Sequence, residues 1–237
     1  MKNAETPVVK LVLYGAMSSL GSALMAESLR RQHEVIAILD DLTALAPRPG
    51  LRAKGGDLFD PDRVKQSVAG SSAVICLLDA PDLPGSTTPG QAPDPVNQVR
   101  AVDALIEGMQ GAGIRKLMLV GEFSVLDNPP SSTSLPHHAA QEILDALRSS
   151  ALDWTLINAP RGVAGLGIEH FNQVGDSLEP GLAEPLRRLN GVAIGISDEL
   201  RLNLHLREHV SFIATQPQAA TSVSYTHLRA HETVLDL

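Results

Sequence analysis

The stretch Lys10-Leu-Val-Leu-Tyr-Gly-Ala-Met-Ser-Ser-Leu-Gly-Ser22 decides the fold. An apolar, β-prone run ends at Gly15, and six residues later Gly21 opens a helix-patterned stretch (residues 20–32). A strand that is apolar on both faces belongs inside a parallel sheet. A glycine straight after it permits a tight turn, and a second at the helix start lets the helix pack close to the sheet. Helix N–H groups at Ser18, Ser19 and Leu20 then point outward with the positive end of the helix dipole, a setting that attracts a diphosphate. Gly15, Met17, Ser18, Ser19, Leu20 and Gly21 are therefore the candidate cofactor loop. Ser18 stands where the usual pattern has its middle glycine; its Cβ narrows the approach, and its hydroxyl is available to donate a hydrogen bond.

Outward from this loop the pattern repeats. Strand-like runs are expected at residues 35–39, 51–54, 73–78, 116–120 and 154–158, and helices at 61–69, 95–111 and 136–150. Asp60 is placed to cap the first of these helices and Pro61 to occupy its first turn. Strand and helix alternating in this way give an α/β fold, a Rossmann-type doubly wound parallel sheet with helices on both faces. Its ligand site lies at the carboxyl ends of the strands. Residues 1–216 are expected to form one such domain, with a small substrate region from about residue 160. In residues 168–201 glycines are frequent and no period is clear, and residues 200–212 are expected to form a last helix.

Further site candidates follow from strand ends. Asp40 and Asp41 follow the second strand, near the ~20-residue offset at which an acid meets the adenosine ribose. A carboxylate there accepts from ribose hydroxyls and repels a 2′-phosphate, which favours NAD(H) over NADP(H). Asp57 and Leu58 follow the third strand, where an acid can accept from the adenine amino group and a leucine can pack on the ring. Leu78 and Asp79, at the end of the fourth, are placed to line the nicotinamide ribose. Two segments rich in Pro, Gly, Ser and Thr, residues 79–93 and 126–134, fall at the same edge, where lids and substrate loops sit.

Composition narrows the partners. The 237 residues carry a net charge of -8, with 43% hydrophobic and 19% charged residues, as in an ordinary globular chain. The acidic balance, and the lack of any Lys/Arg run, argue against nucleic acid. The single cysteine, Cys76, lies in an apolar run and reads as a buried thiol. No signal peptide or membrane span is visible, so a cytoplasmic location is expected. The expected partners are a dinucleotide and a small organic substrate. His205 and His209 have the i, i+4 spacing that could hold a metal on a helix face, but no third ligand accompanies them and no metal site is expected.

The order of several short motifs resembles the atypical short-chain dehydrogenase/reductase superfamily, in its NmrA-like, NAD(P)H-binding branch. The residues that carry the likeness are Gly15-Ala16 with Leu20-Gly21, Gly55-Gly56-Asp57-Leu58, Ala69-Gly70-Ser71-Ser72-Ala73-Val74-Ile75, Gly113-Ile114-Arg115-Lys116-Leu117, and residues 147–155. They span roughly residues 8–165. The resemblance implies a dinucleotide-binding fold with a C-terminal substrate region, and reductase chemistry. Members with the standard chemistry carry Tyr-x-x-x-Lys on the helix before the sixth strand. Here that helix reads His137-His138-Ala139-Ala140-Gln141-Glu142, with neither residue. His137 and His138 become the candidate proton relays. Ser124 is offset from the family's catalytic serine, and Glu122 and Asp127 are polar groups of no assigned role. The reading that follows is an oxidoreductase acting by hydride transfer; its alternative is a catalytically inactive, dinucleotide-sensing regulator. The last stretch, Ser222 to Leu237, resembles the translated read-through of a sequencing adapter, so residues 217–237 are expected to be a disordered or foreign tail.

Overall fold

The computed structural model describes residues 8–212 except 89, 128–133, 161 and 173–180. The tail at 217–237 and most of the 126–134 loop lie outside the described residues.

Strands β1 (Lys10–Tyr14), β2 (Glu34–Leu39), β3 (Leu51–Gly55), β4 (Ala73–Leu77), β5 (Lys116–Gly121), β6 (Asp153–Asn158) and β7 (Glu208–Ser211) form one parallel sheet in the order β3-β2-β1-β4-β5-β6-β7. The helices are α1 (Ser19–Arg30), α2 (Pro61–Val68), α3 (Pro95–Ala112), α4 (Leu135–Ser149), α5 (Ile168–Asn172) and α6 (Ala183–Leu202). α2 packs on α3 and α3 on α4, while α1 packs on α5 and α6, so both faces of the sheet are covered. Residues 11–14 and 73–77 are buried without a break, which explains their unbroken apolar sequence. Strand order reverses between β1 and β4, and a crevice for a ligand opens at such a point, outside the carboxyl ends of the strands.

The sequence reading fails after residue 168. The expected helix over residues 200–212 is absent; α6 ends at Leu202 and β7 follows as an edge strand. Asn203 (φ 51°) and Arg207 (φ 59°) break the helix with left-handed backbone. Glu199 holds the turn by accepting from the backbone N–H of His205 at 2.8 Å and pairing with its Nδ1 at 2.8 Å. α6 itself hides behind its glycines. A Cβ on Gly195 would lie 2.6 Å from the Phe212 ring, so this glycine makes room for β7's end rather than breaking the helix. His205 therefore sits in a turn and His209 in a strand, not on one helix face. No metal-binding group of His, Cys, Asp and Glu occurs among the described residues. Cys76 is fully buried, and burial pushes its thiol well above its usual range.

Candidate dinucleotide site

The turn out of β1 is built by Gly15, whose φ is +81°. A Cβ there would lie 2.7 Å from that of Ala80 and 2.9 Å from that of Leu77, so the loop is pressed against the end of β4. A Cβ on Gly21 would collide with the Gly15 carbonyl and lie 2.8 Å from Ala16. The close approach made by Gly21 is thus to its own loop, not to the sheet. This is a cradle in which only glycine fits, and its glycines are buried.

Ser18 caps α1. Its Oγ accepts from Gly21 N–H at 3.0 Å and donates to the Gly15 carbonyl at 2.8 Å. The hydroxyl expected to be available for a phosphate is therefore spent on holding the loop closed. The N–H groups of Ser19 and Leu20 find no acceptor among the described residues and stand at the positive end of α1. Met17 is exposed and Ser19 buried. Gly162, in the segment after β6, rests so close to Ser19 Oγ that a Cβ would overlap it. The glycine cradle thus has the β1 loop on one side and the β6 segment near it.

Asp40 lies exposed at the end of β2, and its Oδ1 accepts from Gly85 N–H at 3.2 Å. Asp41 behaves differently. It caps a short 3-10 turn, accepting from Thr43 N–H at 2.8 Å and Thr43 Oγ1 at 2.7 Å, and these bonds hold its carboxyl below the usual range. Asp57 Oδ1 accepts from Phe59 N–H at 2.8 Å. Leu58 departs from expectation: its side chain is 0% exposed, inside the core, and no ring can pack on it. What it offers the edge is its backbone N–H, which donates to the Pro84 carbonyl at 2.8 Å.

At the end of β4, Leu78 is also buried, and its N–H donates to Val120 in β5. Its side chain does not line the crevice as expected. Asp79 bridges elements instead, accepting from Gln98 Nε2 on α3 at 3.0 Å and from the backbone N–H of Glu122 after β5. On α4, His138 is exposed, whereas His137 is half-buried and its Nε2 finds no partner among the described residues.

Sequence reasoning missed one cluster. Asp127 Oδ2 accepts from Ser211 Oγ at 2.7 Å and from Asn158 Nδ2 at 3.4 Å, and His209 Nδ1 lies 3.6 Å from Asp127 Oδ1. Asn158 Oδ1 accepts from Phe123 N–H at 3.0 Å. Asn158 and Ser211 are register partners at the ends of β6 and β7, a pairing invisible until β7 is known to be a strand.

Glycine cradle, capped helix, strand-end carboxylate and reversal of strand order together define a Rossmann-type dinucleotide-binding protein. A family model described as NAD(P)H-binding matches residues 15–164, and the chain belongs to that family. This agrees with the resemblance to the atypical short-chain dehydrogenases/reductases. No curated protein matches the chain significantly. Among solved structures, a protein of Burkholderia pseudomallei provisionally described as exported is similar at 23% identity and TM-score 0.59, over 86% of this chain and 98% of that one. A short-chain dehydrogenase/reductase from Veillonella parvula in complex with NADP is similar at 14% identity and TM-score 0.57, over 86% and 94%. The triphenylmethane reductase of a Citrobacter species, complexed with NADP(H), follows at 16% identity and TM-score 0.62, over 88% and 71%. These likenesses are of fold. No described helix is long and apolar enough to cross a membrane.

Proposed function

We propose that the protein is an oxidoreductase of the NmrA-like branch that prefers NAD(H) to NADP(H) and transfers hydride to or from a small organic substrate. The observation that carries the preference is Asp40, a carboxylate at the end of β2, the strand beside the glycine cradle. In this reading the N–H groups of Ser19 and Leu20 take the diphosphate, and Asp40 takes the ribose hydroxyls and rejects a 2′-phosphate by like charge. Asp57 and the N–H of Leu58 take the adenine edge. The nicotinamide supplies the hydride chemistry, and the protein orients it. Asp79, tied to α3 and to the end of β5, fixes the floor beside the nicotinamide ribose. The region from about residue 160, with α5 and α6, receives the substrate, and His137 or His138 relays the proton.

The sensing alternative draws support from α4, which presents neither Tyr nor Lys at residues 137–142. Titration calorimetry with NADH and NADPH separates the parts of the proposal. NADH is expected to bind about tenfold more tightly, and Asp40→Arg to reverse that order. An unchanged order in Asp40→Arg defeats the ribose assignment. If a broad panel of carbonyls, quinones and flavins gives no turnover while NADH still binds, the sensing reading replaces the enzymatic one. If turnover is found, it should disappear in His137→Gln or His138→Gln with cofactor binding intact.

A further inference from the structure

Two groups assigned above to adenosine are already hydrogen-bonded to one short piece of backbone, and a third lies against it. The Leu58 N–H donates to the Pro84 carbonyl at 2.8 Å, and the Gly85 N–H donates to Asp40 Oδ1 at 3.2 Å. The Gly85 backbone rests against the Asp57 carboxylate so closely that a Cβ would overlap its oxygen. An adenine edge offers a ring-nitrogen acceptor to an amide such as that of Leu58. A ribose offers hydroxyl donors to a carboxylate such as Asp40. Pro84 and Gly85 offer the same pair in succession, an acceptor to Leu58 and a donor to Asp40.

Resting on the dinucleotide reading, we propose that residues 83–85 form a strap that imitates adenosine and must be displaced before NADH can seat. The strap is a latch rather than a slack loop. Leu83 is fully buried and Pro84 buried, which anchors it, while Gly85 adopts φ +85°. Asp82, just before the anchor, has left-handed backbone at φ +57°, and its Oδ1 accepts from Gly90 N–H at 2.6 Å, closing the loop behind it. When NADH enters, hydrogen bonds to the strap are exchanged for hydrogen bonds to the ligand, so little is gained or lost in their number. The affinity is then governed by how firmly the strap is seated. The strap competes with the adenosine half of the cofactor alone. Nicotinamide mononucleotide, which lacks that half, does not contend with it.

Gly85→Ala tests this directly, because the new Cβ meets Asp57 and the left-handed backbone disfavours alanine. Loosening the strap is expected to tighten NADH binding by about fivefold or more, the factor that one net hydrogen bond represents, and to leave nicotinamide mononucleotide unaffected. Leu83→Ala, which removes the anchor, should act in the same direction, and thermal melts establish that both variants fold. In the unaltered chain, amide exchange followed by NMR should show the Gly85 amide losing protection when NADH is added, while the Leu58 amide keeps its own by passing to the ligand. Equal or weaker NADH binding in the folded variants, or Gly85 protection unaffected by NADH, overturns the strap and leaves the dinucleotide reading standing. Failure of every variant and of the unaltered chain to bind NADH overturns both.

Discussion

Two carboxylate-centred clusters lie at opposite ends of the same sheet edge, and they are satisfied in different ways. Beside β2 and β3, Asp40 and Asp57 accept from backbone N–H groups of Gly85 and Phe59. Beside β5, β6 and β7, Asp127 is held by the side chains of Ser211 and Asn158, with His209 close by. A backbone donor can be exchanged one for one with a ligand's donor, so the carboxylate keeps its number of hydrogen bonds. A lattice of side chains from the loop after β5 and the ends of β6 and β7 is not, since its members also bond one another, Asn158 Nδ2 donating to Ser211 Oγ at 3.1 Å. The first cluster is suited to recognition, and the second to holding the β7 edge onto the sheet.

The largest expected effect falls on the recognition side. Gly21→Ala drives a methyl group into the Gly15 carbonyl and Ala16, and neither is the movable end of a side chain. The fold should lose about 1–3 kcal/mol, as for other overpacked sites, measured by denaturant titration. NADH affinity should fall at least about a hundredfold, because the turn that presents Ser19 and Leu20 is opened. Wild-type affinity in this variant would mean that the cradle does not shape the diphosphate site.

Asp127→Ala is the matching change at the other cluster, with a smaller effect expected. It strips Ser211 and Asn158 of an acceptor, at a cost of about 1–2 kcal/mol. NADH affinity should stay within about twofold of the original if the two clusters are independent. A large loss of affinity with little loss of stability would reverse the roles given to them.

The contrast also accounts for what the sequence could reveal. The glycine turn, the cap at Asp60 and the acid after the second strand are local signals: Gly15 makes the turn out of β1, Asp60 caps α2 and Asp40 follows β2. The strap was legible only as a Pro/Gly-rich loop, because its role comes from meeting Asp40 some 45 residues away. The burial of Leu58 and Leu78 was missed for a related reason. A leucine next to a strand end can face the crevice or the core, and only the packing decides. At the C-terminal side the signals conflict, since Gly191 and Gly195 in α6 resemble helix breakers. β7 is only four residues long and carries Glu208, His209 and Ser211, which give it no apolar period. The Asp127 cluster depends on that strand and went unseen with it.

The smallest effect expected is on pH dependence, and it tests the β7 edge once more. Burial lowers the tendency of His209 to protonate below the ordinary value of 6.5, and the nearby Asp127 carboxylate offsets this only in part. His33 is lowered in the same direction, by burial first and then by the charge of Arg31. The unfolded chain therefore binds protons more readily than the folded one, so stability is complete above pH 6.5 and falls as the pH drops below it. The loss on acidification from pH 7.5 to 5.5 should be seen as a lower Tm. His209→Gln should remove its own share, and the His33→Gln/His209→Gln double variant should flatten the dependence over that interval. A double variant that loses as much stability on acidification as the original chain would show that other groups carry the effect.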